Sequence, residues 1–236
     1  MLEVKNITYK VKEGGKDKVI LDNISFCCEK NQTVVITGQN GSGKSTLLKI
    51  IMGILPATNG KIFFDGQDIT NLTIDQRANL GMAYSFQTPV CFKGITTQRL
   101  LEIASNSQDF NSHCENLSKL GLCARNYLGR EVNNKLSGGE QKRIDLATVI
   151  CRNAKLNLFD EPEAGIDIWS FDNLTNIFNI KNSTNLIVSH QQKLIEKADK
   201  ILVMKNGKIE YFDSTDKILP RLNSNQTCQK LRRKNG

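Results

Sequence analysis

The run Gly38-Gln39-Asn40-Gly41-Ser42-Gly43-Lys44-Ser45 follows a β-rich segment and leads directly into a helical one. Its glycines let the backbone fold with N–H groups turned inward, and the helix N-terminus behind it adds partial positive charge at the same spot. Such a turn suits phosphate oxygens. The G-x-x-x-x-G-K-S spacing gives Lys44 the β- and γ-phosphates of a nucleotide to reach, Ser45 a Mg²⁺ ion, and Thr46 the α-phosphate. A chance glycine-rich turn would have no reason to carry the strand, the helix and every fixed position together.

A second set of groups lies far along the chain. The apolar run Leu156-Asn157-Leu158-Phe159 ends in Asp160-Glu161. That puts two carboxylates at the C-terminal edge of a sheet, where open α/β sheets bind ligands. Asp160 is suited to hold Mg²⁺ through water, and Glu161 to polarise an attacking water as general base. Acidic residues at a strand end also cap helices, and it is the phosphate turn upstream that favours chemistry here. Leu136-Ser137-Gly138-Gly139-Glu140 opens another helix with a Ser-Gly-Gly turn, a second phosphate-binding end in the same chain. Ser137 and Glu140 also have the spacing of a capping box, and the two uses are compatible. One nucleotide rarely needs two such ends from one molecule.

The elements that must position these residues can be traced from residue type. Leu2 to Val11, Ile20 to Cys28, Thr33 to Thr37 and Lys61 to Phe64 are short β-rich runs. Gly14-Gly15 and Asp65-Gly66 reverse the chain between them, so the opening predicts a small antiparallel sheet. After Gly43, Leu47, Leu48, Ile51 and Met52 form one helical stripe, which makes Thr33 to Met52 the start of a βα unit. Residues from about Thr96 to Leu128 carry helical patterns. A helix over 137–152 and strands at Leu156–Phe159, Leu186–Val188 and Ile201–Met204 then alternate as a parallel sheet does. Asn206-Gly207 predicts a closing hairpin into Lys208–Phe212.

In chain order, the Gly38–Ser45 turn, Gln87, LSGGE at Leu136–Glu140, the Leu158-Phe159-Asp160-Glu161 strand end, Ala164-Gly165-Ile166-Asp167 and His190 resemble the ABC ATPases over nearly the whole length. The resemblance implies an α/β P-loop NTPase core with an N-terminal antiparallel β subdomain and a small helical subdomain at about 88–136. All of it would be a single domain spanning 1–236. It implies ATP and Mg²⁺ as substrate and cofactor, with Gly38, Gln39, Asn40, Gly41, Ser42, Gly43 and Lys44 cradling the triphosphate. Ser137, Gly138 and Gly139 would contact ATP held by an opposite protomer, with Asp167 at the dimer seam. Gln87 would couple Mg²⁺ and water to the helical subdomain, and His190 would touch the γ-phosphate. The family's adenine-stacking position falls near Tyr9, or at Val11 in another register. Asn157 stands where the family's strand is apolar and calls for a buried partner.

Within that family, Phe86-Gln87-Thr88-Pro89 followed by Gly94-Ile95-Thr96 looks like the corresponding run of SufC-type ATPases. Asp160-Glu161-Pro162-Glu163, Ser189-His190-Gln191-Gln192 and Lys142 in the run Ser137–Arg143 look similar to the same group. That likeness implies an ATP-hydrolysing subunit of an iron–sulfur cluster assembly complex. Its partner would be a SufB/SufD-type scaffold, and its homodimer within the complex would depend on ATP. It further implies that Lys142 pairs with Glu161 in the resting monomer. The other reading is the cytoplasmic ATP-binding subunit of an ABC membrane transporter, which the site chemistry alone does not separate from the first.

The remaining composition is consistent with a folded, cytoplasmic protein. Hydrophobic residues at 39% and charged residues at 24% lie near globular averages, so general disorder is excluded. No apolar stretch approaches the roughly 18 residues of a spanning helix, so direct membrane insertion is not expected. The seven cysteines include no C-x-x-C pair and read as ordinary thiols, with Cys91 in a loop expected to face the partner. The net charge of +8 is spread along the chain apart from Lys230–Lys234, and the tail at about 224–236 is expected to be disordered and solvated; nucleic-acid binding is not expected.

Overall fold

The computed structural model describes residues 1–166, 178 and 183–223. Two sheets share one apolar layer. The first is antiparallel, in the order β2 (Lys16–Cys28), β1 (Leu2–Glu13), β4 (Asn59–Phe64), β5 (Gln67–Asp68). The second runs β10 (Lys208–Ser214), β9 (Lys200–Lys205), β3 (Thr33–Gly38), β8 (Thr184–Val188), β7 (Leu156–Asp160), β6 (Met82–Ser85). It is parallel except for the β9–β10 hairpin.

Alternation along β3 explains why two cores form. Val34 and Ile36 face the layer shared with Leu2, Ile7 and Leu21 of the first sheet, and α1 (Lys44–Met52) is packed into it. Val35 faces the opposite side, where α3 (Thr97–Ser105), α4 (Phe110–Lys119) and α6 (Gly138–Arg152) close a second core. A strand buried on both faces must be apolar at every position, as Val34-Val35-Ile36 is. The helical middle that the sequence predicts lies between β6 and α6 and includes the short α5 (Ala124–Tyr127). The one-face alternation of β1 is interrupted at Asn6, which sits at φ 53 where the register with β2 shifts. That bulge returns Ile7 to the core.

Two polar devices brace the parallel sheet. Arg77, on α2 (Ile74–Asn79), is buried and donates to the carbonyls of Ile50, Ile51, Thr70 and Leu72, so it satisfies the C-terminal end of α1 with a cation. Asn157 is buried and its amide nitrogen is partnered, donating to Asn185 Oδ1 at 3.0 Å and Ser183 Oγ at 3.2 Å, while its own Oδ1 is buried without a partner; Asn185 donates on to Thr33 Oγ1 at 3.3 Å. The rung crosses β7, β8 and β3 inside the sheet. Asn157→Ala removes the donor of two buried hydrogen bonds, so it should cost about 1–3 kcal/mol, read as a lower urea midpoint at unchanged slope; an unshifted midpoint would show that the rung contributes nothing.

Among the described residues, no helix is long and apolar enough to cross a membrane. The predicted tail at 224–236 lies outside the described residues.

Candidate functional site

β3 ends at Gly38 and α1 begins at Lys44, with Gly38, Gly41 and Gly43 at φ 136, 78 and 96. No side chain caps α1, so its first N–H groups are left for a ligand. The Lys44 ammonium donates to the Gly38 and Gln39 carbonyls at 2.9 and 3.0 Å, which draws the turn closed around it. Burial pushes its pKa down, while the charges of Glu161 and Asp160 oppose that. Ser42 Oγ is buried without a partner at the base of the turn. The turn opens on a cleft of about 590 Å³. Lys44, Ser45 and Thr46 line it beside Asn40 and Gly41, and Gln87, Glu161 and His190 reach it from three other segments. Its apolar wall is Ile20; neither Tyr9 nor Val11 lines it, because Tyr9 packs on the inter-sheet core instead.

Asp160 closes β7 almost fully buried and accepts Ser45 Oγ at 2.7 Å and the Tyr84 hydroxyl at 3.0 Å. Burial, then the Asp160 charge, pushes the Tyr84 phenol well above its ordinary pKa, so it stays a donor. A hydroxyl and a carboxylate in contact at the foot of a phosphate cleft are hard oxygen donors. They fit Mg²⁺, which takes one or two protein ligands and completes its shell with water and substrate phosphate. No cluster of three or more His, Cys, Asp or Glu side chains suited to a metal occurs among the described residues.

Glu161 follows at φ 44, a strained backbone for a non-glycine residue, with its N–H donating to Val188 O at 3.0 Å. Its carboxylate accepts Gln87 Nε2 at 2.7 Å. The predicted Lys142–Glu161 pair is not formed. Lys142 is 0% exposed and its ammonium donates to the Phe86 carbonyl and, at 3.4 Å, to the Asp160 carbonyl. The amide of Gln87 occupies the carboxylate instead, and Lys142 feels Glu161 only as the weakest of four neighbouring negative charges.

His190 lies just past β8. Its backbone N–H lies 3.4 Å from Glu163 Oε1, which also accepts Ser189 Oγ at 2.7 Å. Burial raises the Glu163 carboxyl, and its second oxygen is buried without a partner. This brace between the two strand-end loops was missed by sequence reasoning, which used Glu163 only as a family mark. Partial burial and then the Lys44 charge pull the His190 imidazole below its usual pKa, so it is neutral at pH 7.

The Ser137 turn is built as its capping box predicts: Ser137 Oγ accepts the Glu140 N–H at 3.3 Å, and Glu140 accepts the Ser137 N–H at 2.6 Å. The Tyr127 hydroxyl fixes Glu140 from the helical side. A Cβ on Gly139 would lie 2.9 Å from the Gly165 carbonyl, so only glycine lets this turn approach the loop after Glu161. Yet Ser137, Gly138 and Gly139 do not line the cleft that holds Lys44 and Glu161. Asp167, expected at the seam, lies outside the described residues.

The family model described as ABC transporter matches residues 21–164. The chain is 37% identical over 205 residues to an uncharacterized ABC transporter ATP-binding protein of Methanocaldococcus jannaschii, covering 82% of each. It is 34% identical to an iron–sulfur cluster assembly protein SufC of Plasmodium falciparum, over 89% of this chain and 65% of that one. Among solved structures, a nucleotide-free ATP-binding cassette from an ABC transporter superposes with a TM-score of 0.79 at 26% identity, covering 95% of each chain.

Proposed function

The chain belongs to the ABC transporter family, as an ATPase that takes ATP with Mg²⁺, and from that premise we propose that it powers a SufBC- or SufBCD-type iron–sulfur cluster assembly complex in the cytoplasm as an ATP-dependent homodimer. The whole chain acts as one cassette whose helical subdomain spans about 88–136. The observation that supports the dimer is that Ser137, Gly138 and Gly139, a second helix end suited to phosphate, do not line the cleft that holds Lys44 and Glu161 in their own chain. A second copy, turned about a two-fold axis, supplies the missing wall.

The site then works as follows. Lys44 and the inward N–H groups of the Gly38–Gly43 turn bind the β- and γ-phosphates of ATP. Ser45 and Asp160, with Gln87, would hold a Mg²⁺ ion, which would supply positive charge beside the phosphate oxygens. Glu161 takes the proton of the water that adds to the γ-phosphorus as the bond from the β,γ-bridging oxygen to that phosphorus breaks. His190 donates to a γ-phosphate oxygen, and Ser137, Gly138 and Gly139 of the second copy exclude bulk water. Ile20 offers adenine an aliphatic wall.

For the partner, support comes from the likeness to SufC and from an apolar groove of about 300 Å³ beside the Gln87 arm, lined by Phe86, Met52, Ala104 and Leu100. Its rim carries Ile74 and Ile103, 46% and 56% exposed. A scaffold seated there would move with Phe86 and so with the cleft. Affinity purification of the full chain from its native extract tests this: a soluble cluster-assembly scaffold should come with it in a fixed ratio, and recovery of an integral membrane protein in its place would overturn the assembly role while leaving the ATPase intact.

A further inference from the structure

The residues just before Gln87 are gripped from one side by two charged side chains outside the nucleotide cleft, Lys142, fully buried, and Asp145, partly buried. Lys142 and Asp145 are three residues apart on α6, one turn beyond the Ser137 end, and so share a face. The Lys142 ammonium donates to the Phe86 carbonyl. The Asp145 carboxylate accepts Ser85 Oγ at 2.5 Å, and the Phe86 N–H further stabilises its charged form. The Ser85–Phe86 peptide region is therefore held at its carbonyl by a cation and at its amide side by an anion.

Placing such a pair inside a protein is costly unless both charges are well partnered. Burial pushes the Asp145 carboxyl up to about 6 and pulls Lys142 down, each in the direction that opposes its charge. A leucine pair would fill the same space without that cost. The two charges are instead joined to three working parts. Their helix begins at Ser137. Phe86 lines the partner groove, its ring packed on Tyr84, whose hydroxyl binds Asp160. Lys142 also reaches the Asp160 carbonyl, one peptide before Glu161.

We infer that Lys142 and Asp145 form a clasp on Ser85–Phe86 that makes the Gln87 arm move with the Ser137 helix, so that engagement of the second copy's nucleotide places Gln87 for hydrolysis. They are positioning residues: neither touches ATP, Mg²⁺ or the attacking water. The inference rests on the composite site described above and adds how one half of that site reports to the other.

The test uses hydrogen exchange of segments 84–92 and 133–142 in a Glu161→Gln background with MgATP, and steady-state turnover in the background that keeps Glu161. With the clasp intact, ATP should alter exchange in both segments. In Lys142→Met and Asp145→Asn the 133–142 segment should keep its response, the 84–92 segment should lose it, and kcat should fall about tenfold or more with KM for ATP within about twofold. If 84–92 still follows ATP in both variants, or if KM rises in place of the fall in kcat, the clasp is wrong. A lack of ATP response at 133–142 with the clasp intact would sink the composite site and this inference with it. Should both variants fail to fold, Ser85→Ala removes the hydroxyl and leaves both charges. The same uncoupling, with kcat down about threefold, is expected there, and a wild-type exchange pattern overturns the proposal.

Discussion

Replacing Glu161 by Gln should lower ATP turnover by about 10²- to 10⁴-fold while leaving ATP binding in place. The substitution keeps shape and one acceptor oxygen, so the bond from Gln87 Nε2, 2.7 Å in the native site, can persist. What it removes is the ability to take a proton. In the native carboxylate the Gln87 bond uses one oxygen and leaves the other for the attacking water. Binding should survive because Lys44 and the Gly38–Gly43 turn are untouched, and Asp160 still supports the charge on Lys44. ATP that is bound but not cleaved should hold two copies together. Size-exclusion chromatography with light scattering, with and without MgATP, should show the doubled mass only with nucleotide. Full turnover in Glu161→Gln would remove the general base from its assigned place; a variant that binds ATP and stays single, even with the native partner supplied, would remove the composite site.

The parts legible in the sequence are those whose partners are close along the chain or fixed by a strand end. The Gly38–Ser45 turn is one strand–turn–helix unit, so its type and its place could be read together. Asp160 closes one buried strand of the parallel sheet, Glu161 follows it and His190 lies just past another, and the C-terminal ends of such strands meet at one edge. Lys142 marks the limit. Its position on α6 could be read, its partner could not, because that depends on how α6 rotates over β6, a strand of four residues, Met82-Ala83-Tyr84-Ser85, too short to show a period. Glu163 and Ile20 were invisible for a related reason: one looks like a turn acid and the other like an ordinary strand residue until the fold sets Ser189 against the first and the cleft against the second.

Gly38 sets the other large expected effect, this time on stability. It ends β3 at φ 136, paired with Met204 of β9, and a Cβ there would lie 2.0 Å from the Met204 carbonyl oxygen and 2.9 Å from its carbon. Both atoms are backbone at the last pair of the β3–β9 ladder, so no side chain can swing aside. Gly41 has a positive φ as well, 78, yet nothing lies within 4 Å of its missing Cβ. The pair separates two costs. Gly41→Ala should lose only the conformational penalty of about 1–2 kcal/mol, whereas Gly38→Ala adds displacement of the β3–β9 pairing and should lose more than about 4 kcal/mol in total, measured by urea unfolding of the two variants side by side. The Gly38 carbonyl is also an acceptor for Lys44, so whatever Gly38→Ala protein remains folded should bind ATP poorly as well. Equal destabilisation of the two variants would mean that β3 can shift away from β9 at little cost, and the cradle would then owe its shape to the turn glycines alone.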